Sequence, residues 1–418
     1  MTTPDRRDDP DRRDDAVVRL SRRQLLAGSA LAAGGLVAVA AASSPAEATP
    51  AVPFRGPHQA GIATPAQDRL VFAAFDVTAT TLDALRELCV AWTLAAERLA
   101  AGQPVGPPLN AWEPPSDTGE ADGLGPSGLT ITVGFGESLF DDRFGLARRR
   151  PGALAALPAF PGDDLDPARS GGDLCVQACA DDEQVAFHAV RNLARLGIGT
   201  VALRWLQVGF SRTSSTTSDQ VTPRNLLGFK DGTDNLKADD PGAFDRFVWV
   251  GDETDQPWLR GGSYLVARRI RTHLEEWAAT PLEAQQDVIG RFKGSGAPLT
   301  GRSEHDPVEL TATGPRGVPI IPLDAHVRVA GPSENAGTRL LRRGYSFADG
   351  VDPRTLELDA GLFFICFQRD PGQFVRVQSN LAINDALRTY LTHTSSSVFA
   401  CPPGVPPGGY LGSTLFDA

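Results

Sequence analysis

The chain has 418 residues, which exceeds the usual size of one domain and predicts two. Its content of 41% hydrophobic and 22% charged residues is typical of a globular protein and excludes global disorder. A net charge of -11 argues against nonspecific binding to nucleic acid or to an anionic membrane, because both need a basic face, and it favours a small molecule as the partner.

The first 48 residues carry charge, then an apolar run, then small residues, which is the order of an export signal. The segment "LSRRQLL" contains Arg22 and Arg23 in the pattern of a twin-arginine signal. Residues 25–42 are rich in Ala and Gly, which favours a cleaved signal over a retained anchor, and the small-x-small site at 46–48 would start the mature chain near residue 49. This predicts export in folded form by the twin-arginine machinery, to the periplasm or the extracellular space.

The first half of the mature chain alternates strands and helices. Residues 69–77 form an apolar run that predicts a buried strand, and an amphipathic helix is predicted between Thr81 and Gly102. A loop rich in Pro and Gly follows at 103–127. Strand, strand, helix and strand are then predicted at 128–136, 173–181, 182–199 and 200–212. One β-α-β-β-α-β set therefore fits residues 60–215.

The five cysteines are an odd number and too sparse for a disulfide scaffold. Cys175 and Cys179 are four residues apart on a predicted strand, so they share one face. Without a neighbouring histidine or further cysteine, a metal site there is disfavoured, and we expect buried structural side chains.

After a polar linker at 213–223, the segment "NLLGFKDGTDN" places Asp231 after Gly228 and directly before Gly232. A carboxylate on a glycine-flanked turn allows the backbone to approach a flat ligand closely. In the alternative interpretation Asp231 only caps its own loop as an Asx-turn. The segment taken alone leaves both open.

The second half repeats the order of the first. A strand is predicted at 262–271, a helical stretch at 274–292 with Pro281 near an N-terminus, a fully apolar strand at 361–369 and a closing helix at 380–394. The predicted fold class is α+β, with two ferredoxin-like (β-α-β-β-α-β) domains at 49–215 and 216–418.

Two further stretches contain candidate functional residues. In "IIPLDAHVRVAGP", His326 follows an apolar, strand-like run beside Asp324, and it is one of only six histidines, so candidate metal ligands are few. In "GTRLLRRGYSF", Arg342 and Arg343 precede a glycine. Alone, the histidine would be interpreted as a surface or core imidazole, and the arginines as a solvated strand edge.

In combination and in this order, these motifs resemble the dye-decolourising peroxidase family, in its twin-arginine-exported branch that includes deferrochelatase-type proteins. The resemblance extends over nearly the whole mature chain. It is carried by "PFRGPHQAGIATP", "TVGFG", "GGDLCVQACADD", "NLLGFKDGTDN", "DAHVR", "LLRRGYSF", "GLFFICFQRD" and "HTSSSVFACPPG".

The resemblance implies a haem b enzyme with a paired ferredoxin-like fold and the haem in the second domain. His326 matches the proximal iron ligand. A carboxylate on its other ring nitrogen would strengthen it as a donor, and Asp385 or Asp324 is the candidate. Asp231 matches the distal acid and Arg342 the distal arginine.

Further positions are candidates for contacting the cofactor. Arg302 and His305 in "TGRSEHD" are candidate contacts of the haem propionates, and Gly232 is a candidate cofactor-binding position. For the reaction of hydrogen peroxide through an oxoferryl intermediate, Asp231 would move the proton and Arg342 would stabilise negative charge as a fixed cation. An aspartate takes up a proton only while it is ionised, and an unperturbed side-chain pKa of about 4 leaves it ionised in mildly acidic conditions. An acid-leaning optimum is therefore expected.

Three functions compete on the sequence alone. The first is a peroxidase that uses hydrogen peroxide to oxidise dyes, phenols or similar small reductants, with Trp258 and Tyr345 as candidate electron relays. The second is a deferrochelatase, or a ferrous-iron-oxidising component beside an iron permease system. The third is a haem carrier without turnover, in which Asp231 and Arg342 would have no task. The sequence is compatible with a homo-oligomer.

Overall fold

The structure is a computed structural model that describes residues 50–107 and 111–417. The predicted export signal at residues 1–48 lies outside this part of the chain. Within the described residues, no helix combines the length and the hydropathy needed to cross a membrane.

The predicted elements of the first half are confirmed. They are β1 (Arg69–Val77), α1 (Leu82–Ala100), β2 (Thr130–Gly136), β3 (Leu174–Ala180), α2 (Glu183–Leu196) and β4 (Val201–Arg212). The hydroxyl of Thr81 caps α1 by accepting a hydrogen bond from the backbone N–H of Ala84 at 3.3 Å, as expected from its position before the first apolar residues.

The second half contains more and shorter elements than predicted. They are α3 (Pro241–Phe247), β5 (Ser263–Thr272), α4 (Leu274–Ala279), α5 (Leu282–Ile289), α6 (His326–Val329), β6 (Leu341–Arg342), β7 (Tyr345–Val351), β8 (Leu358–Gln368), α7 (Pro371–Asn384), β9 (Leu391–Cys401) and α8 (Ser413–Phe416). The strands predicted at 262–271 and 361–369 are β5 and part of β8. The helical stretch predicted at 274–292 is two helices, because Pro281 cannot continue the first and instead precedes α5.

The closing helix predicted at 380–394 is confirmed only up to Asn384, and its last four residues form a strand. Helix α7 ends at Asn384, and the side chain of Asp385 caps a short turn by accepting from the backbone N–H of Leu387 at 2.9 Å. The chain then becomes β9, whose run of Thr and Ser side chains suits a strand better than a helix interior. The strand-like run before His326 is also not a strand but part of a loop that leads into α6.

The nine strands of the described chain form one sheet in which every pairing is antiparallel. Its order is β5-β9-β2-β3-β1-β4-β7-β8, and the additional pairing of β8 with β5 closes the sheet on itself. The short β6 also pairs with β8. The two halves of the chain meet twice in this sheet, at β2–β9 and at β4–β7.

Several strands of the closed sheet, among them β1, β3 and β5, bury both faces. In β1, Leu70 and Phe72 face the interior of the sheet, where Cys175 and Cys179 also lie, whereas Val71 packs with the helical layer of the first half. All five cysteines are free and buried, which agrees with a structural role for Cys175 and Cys179. Outside the sheet, the second half leaves a cavity between β5, β8 and β9 and the segments around α5, α6 and α7.

Candidate active site

The cavity has a volume of about 360 Å³, and its walls are mostly apolar. Apolar lining residues include Phe229, Ile270, Ile289, Leu362, Phe364 and Leu387. The sequence-predicted residues Asp231, His326, Arg342 and Asp385 line the same cavity, as does Gly232. An apolar cavity with a few polar groups at defined positions is the usual form of a cofactor site.

His326 is the first residue of α6, and its imidazole is oriented by a carboxylate 59 residues away in the chain. The ring nitrogen Nδ1 donates to Oδ2 of Asp385 at 2.6 Å. Burial lowers the pKa of His326, but the charge of Asp385 and this hydrogen bond outweigh burial, so that the pKa lies above its ordinary value. Asp385 itself is buried. The geometry leaves Nε2 as the ring nitrogen available to a ligand in the cavity.

Of the two carboxylates that the sequence offered as partners of His326, the structure brings only Asp385 to the ring. Asp324 has an exposed side chain, and its backbone carbonyl accepts from the N–H of Ala386 at 2.9 Å. That bond ties the loop before α6 to the turn after α7. Asp324 therefore helps to bring the two segments together through its backbone.

Asp231 and Arg342 form a direct ion pair. Nη1 of Arg342 donates to Oδ1 of Asp231 at 2.7 Å, and the side chains are 30% and 17% exposed, so both are partly shielded from water. Neighbouring Lys230 pairs with Glu304, whose other carboxylate oxygen accepts from Thr233 at 3.1 Å. The aspartate of the motif is thus held by a cation, and the lysine is turned to a different partner.

The Asx-turn of the segment is made by Asn225, while Asp231 bonds other side chains. Oδ1 of Asn225 accepts from the backbone N–H of Leu227 at 3.1 Å and of Phe229 at 3.3 Å. Its Nδ2 donates to Oδ2 of Asp231 at 3.2 Å. Asn225 and the buried Asn235, which bonds the backbone of Arg342, are site residues that the sequence interpretation missed. The signal was present, because the two asparagines are the first and last residues of the quoted motif.

Gly232 has a backbone conformation that favours glycine. Its φ is +94°, and a Cβ atom would lie 2.7 Å from the Cα of Ser214. The missing side chain therefore lets the motif pack against the segment that follows β4. Gly232 lines the cavity, but the contact that requires glycine is with the protein's own backbone.

A second polar group lies at another part of the cavity wall. Arg268 on β5 is 1% exposed and pairs with Asp163, while its Nε and Nη1 have no hydrogen-bond partner among the described residues. His393 on β9 lies beside them, with Nδ1 3.8 Å from Asp163. Burial and the charge of Arg268 lower the pKa of His393 to about 3, so the ring is neutral at pH 7. A buried guanidinium with two unpaired donor nitrogens is suited to donating hydrogen bonds to an oxygen atom of a ligand.

The structure does not bring Arg302 and His305 to the cavity. Both side chains are exposed, because the carboxylate of Asp306 accepts from the backbone N–H of Arg302 at 2.7 Å and of Ser303 at 2.9 Å and folds the segment into a surface turn. The cationic side chains that line the cavity include Arg268, Arg291, Arg339 and Arg388.

The candidate electron relays of the sequence also lie away from the cavity wall. Trp258 is buried against Phe135 and Phe140, and Tyr345 is buried inside the closed sheet. The aromatic residues that adjoin the cavity are different. Phe229 in its wall is 5.9 Å from Trp277, which is 4.9 Å from the partly exposed Tyr390, measured between ring centroids.

Comparison with known proteins gives matches over most of the chain. A family model described as "Dyp-type peroxidase, N-terminal" matches residues 59–211, and "Dyp-type peroxidase, C-terminal" matches residues 222–406. A protein of Yersinia pseudotuberculosis serotype I named Deferrochelatase is 39% identical over 420 residues, which cover 95% of each chain.

Solved structures agree with these matches. The crystal structure of a DyP-type peroxidase from Streptomyces coelicolor superposes with a TM-score of 0.82 at 41% identity, covering 89% of this chain and 98% of that chain. Ferric DtpA from Streptomyces lividans gives the same TM-score, identity and coverage.

We expect Gly232→Ala to destabilise the protein by about 1–3 kcal/mol, because the new Cβ would meet the Ser214 backbone and alanine disfavours a positive φ. Urea unfolding measures this free energy. Gly408→Ala is the matched control, since Gly408 has φ +76° but open space around it. Equal losses in the two variants would show that close packing against Ser214 is unimportant.

We expect His393 to make the haem-free protein sensitive to acid. Its pKa is about 3 in the folded chain and about 6.5 when unfolded, so the unfolded state binds more protons between these values. Stability is therefore retained above about pH 6.5 and lost on acidification towards pH 3, with a slope of at most about 1.4 kcal/mol per pH unit. His393→Gln should flatten this part of the stability curve, whereas His305→Gln on the surface should leave it unchanged. An unchanged slope in His393→Gln would contradict a buried neutral imidazole.

Proposed function

The chain belongs to the Dyp-type peroxidase family, and from this premise we propose how its own residues carry out the reaction. The protein is a haem-dependent peroxidase, an oxidoreductase that reduces hydrogen peroxide at the expense of a small reductant. The observation that carries the assignment of roles is one cavity lined both by a histidine with a carboxylate partner and by an aspartate–arginine pair.

The residues present fit haem, which is a flat apolar ring with a central iron and carboxylate arms. The apolar walls suit the ring, and Nε2 of His326 is the nitrogen suited to hold the iron. Nε and Nη1 of the buried Arg268 have no partner among the described residues, so they could donate hydrogen bonds to a haem carboxylate. We therefore propose that His326 would hold the iron, that Asp385 would orient the imidazole and that Arg268 would contact a haem carboxylate.

When bound, haem would supply the iron that reduces peroxide and that then takes electrons from the donor. Asp231 acts as the proton acceptor and donor for peroxide, because its carboxylate oxygens each retain a free lone pair beside the bonds to Arg342 and Asn225. Arg342 keeps its charge and stabilises negative charge that develops on the peroxide oxygens. Asp385 accepts from Nδ1 of His326 and so raises the basicity of Nε2.

A haem carrier without turnover explains fewer of these contacts. Storage of haem needs His326 and an apolar cavity, but it gives no reason to hold an aspartate against an arginine in the same cavity, where the pair must be partly desolvated. The pair is accounted for by peroxide chemistry, which needs both a proton acceptor and a fixed positive charge.

The same strand order in residues 49–215 and 216–418 supports the proposal that each is a ferredoxin-like domain. In the sheet, the first half runs β4-β1-β3-β2 and the second runs β9-β5-β8-β7. Both halves thus place their main strands in the order fourth, first, third, second, with helices after the first and third strands. The family-model matches at 59–211 and 222–406 fall inside these boundaries.

Iron removal from haem is the second candidate function, and the name of a similar protein favours it. The relative of Yersinia pseudotuberculosis that spans 95% of this chain is named Deferrochelatase. The two functions differ in their product, since a deferrochelatase would leave an iron-free porphyrin. An iron-oxidising role beside an iron permease belongs to the same candidate and predicts oxidation of ferrous iron in place of organic donors.

We also propose that residues 1–48 direct export of the folded, haem-loaded protein. The support is the order of charged, apolar and small residues and the Arg22–Arg23 pair in the sequence.

We expect variants of the three central residues to fail in different ways. In stopped-flow mixing with one equivalent of hydrogen peroxide, Arg342→Leu and Asp231→Ala should lower the rate constant by about 10²–10⁴-fold while keeping haem. His326→Ala should instead lose haem affinity. Formation of iron-free porphyrin by the wild type, with no consumption of peroxide or donor, would replace the peroxidase assignment by the iron-removal alternative.

We expect replacement of Arg22 and Arg23 by Lys to retain the full-length precursor inside the cell, because the twin-arginine pathway requires the arginine pair. Cell fractionation and the mass of the exported chain measure the result, and the wild-type mature chain should begin near residue 49. Normal export of the double-lysine variant would contradict the proposed route.

A further inference from the structure

The segment 225–235 begins with a tight turn that fixes the amide of Asn225. The backbone N–H of Gly228 donates to the carbonyl of Asn225 at 2.9 Å, and the N–H of Asn225 donates to the carbonyl of Phe229 at 3.0 Å. Inside this turn, Oδ1 of Asn225 accepts from two backbone N–H groups. Because only the amide oxygen can accept, the amide nitrogen must point the opposite way.

The amide nitrogen of Asn225 faces Asp231. Nδ2 donates to Oδ2 of Asp231 at 3.2 Å, while Oδ1 of the same carboxylate accepts from Arg342 at 2.7 Å. Each carboxylate oxygen of Asp231 thus has its own donor, which is the neutral amide of Asn225 for Oδ2 and the charged guanidinium of Arg342 for Oδ1. Rotation of the carboxylate would break at least one of these bonds, so the direction of its remaining lone pairs is fixed.

Asn235, at the other end of the segment, acts on the backbone of Arg342. Its Oδ1 accepts from the N–H of Arg342 at 2.8 Å, and its Nδ2 donates to the carbonyl of Arg342 at 2.8 Å and of Ser215 at 3.1 Å. The side chain is 4% exposed. The side chain of Asn235 therefore bonds both the N–H and the carbonyl of Arg342, as a paired residue of an adjacent strand would. These bonds link the backbone of Arg342 to the segment that contains Asp231.

We propose that Asn225 and Asn235 are positioning residues of the peroxide reaction: Asn225 sets the direction of the Asp231 carboxylate, and Asn235 sets the position of Arg342 relative to it. The inference rests on the proposed roles of Asp231 and Arg342. Neither asparagine exchanges a proton with peroxide, and each acts through the residue that it bonds.

Other charged side chains near Asp231 and Arg342 form hydrogen bonds with different partners. Lys230 pairs with Glu304, Nη1 of Arg291 donates to the carbonyls of Gly296 and Glu304, and Lys237 donates to the carbonyl of Ser215. Across the same cavity, His326 bonds Asp385. Arg339 at the cavity wall pairs with Asp234. Among the described side chains, the hydrogen bonds to the Asp231 carboxylate come from Arg342 and Asn225.

The competing explanation is that Asn225 only closes its own turn. That role needs the oxygen of Asn225 and not its nitrogen. Asn225→Asp keeps an acceptor for Leu227 and Phe229, removes the donor to Asp231 and adds a like charge beside it. Asn225→Ser keeps a smaller acceptor without the charge, so it remains informative where the aspartate variant folds poorly.

In the haem-loaded protein, we expect Asn225→Asp to lower the peroxide rate constant by about 10-fold and to move the acidic limb of its pH profile upward by about one pH unit. Asn225→Ser should cause a smaller change in the same direction. Fluoride affinity, titrated spectrophotometrically, reports the same site without turnover and should fall by about 10-fold in Asn225→Asp. Gln103→Glu adds one charge in the exposed loop of the first half and should change neither quantity.

A double variant tests whether Asn225 acts through Asp231. In an Asp231→Asn background, adding Asn225→Asp should cause no further loss of rate. A further 10-fold loss there, or an unmoved pH profile in both Asn225 variants with normal haem content and melting temperature, would overturn the role of Asn225. An unreactive wild type would instead overturn the proposed peroxidase roles themselves.

Asn235→Asp tests the second half of the proposal. It keeps the acceptor for the N–H of Arg342 but loses both donated bonds, so Arg342 should shift and fluoride affinity should fall by about 10-fold. Wild-type fluoride affinity and peroxide rate in this variant would show that Asn235 does not position Arg342.

Discussion

The hydrogen bond between Arg342 and Asp231 is the interaction on which the functional account depends. The two residues are 111 positions apart in the chain, and their contact is 2.7 Å. Without this contact, the arginine would be a partly buried cation with no proton acceptor beside it, and the aspartate would lack its fixed positive charge. In the proposed mechanism, their pairing supplies both functions at one point of a mostly apolar cavity.

The fold explains how such distant residues meet. Strands of both halves close one sheet, and the segment after β4 leads directly to the motif that contains Asp231. Ser214, in that segment, donates to the carbonyl of Arg342 at 2.7 Å, which joins the segment after β4 to β6. On the other side of the site, the turn after α7 brings Asp385 to His326. The closed sheet therefore serves as the rigid support, and short loops carry the polar groups.

Much of the fold could be predicted from the sequence, because apolar periodicity and caps are local signals. The elements from β1 to β4 followed from them directly. The closing helix was wrong beyond its first turn because the pairing of β9 with β5 and β2 is a tertiary feature, which local helix propensity does not include. The cap made by Asp385 is a local signal that the prediction overlooked.

The site was predictable where chemistry and motif coincide, as at Asp231, His326 and Arg342. It was not predictable where the choice depended on contacts. The sequence could not decide between Asp324 and Asp385. It pointed to the exposed Arg302 and gave no signal for Arg268, whose unpaired nitrogens are visible only when burial is known.

The most direct test of the central claim is the crystal structure of the haem-loaded mature protein. We expect iron bound by Nε2 of His326, with Asp231 and Arg342 on the opposite face of the ring and a haem carboxylate at Nε and Nη1 of Arg268. Iron held by a different residue, or haem outside the cavity that these residues line, would contradict it.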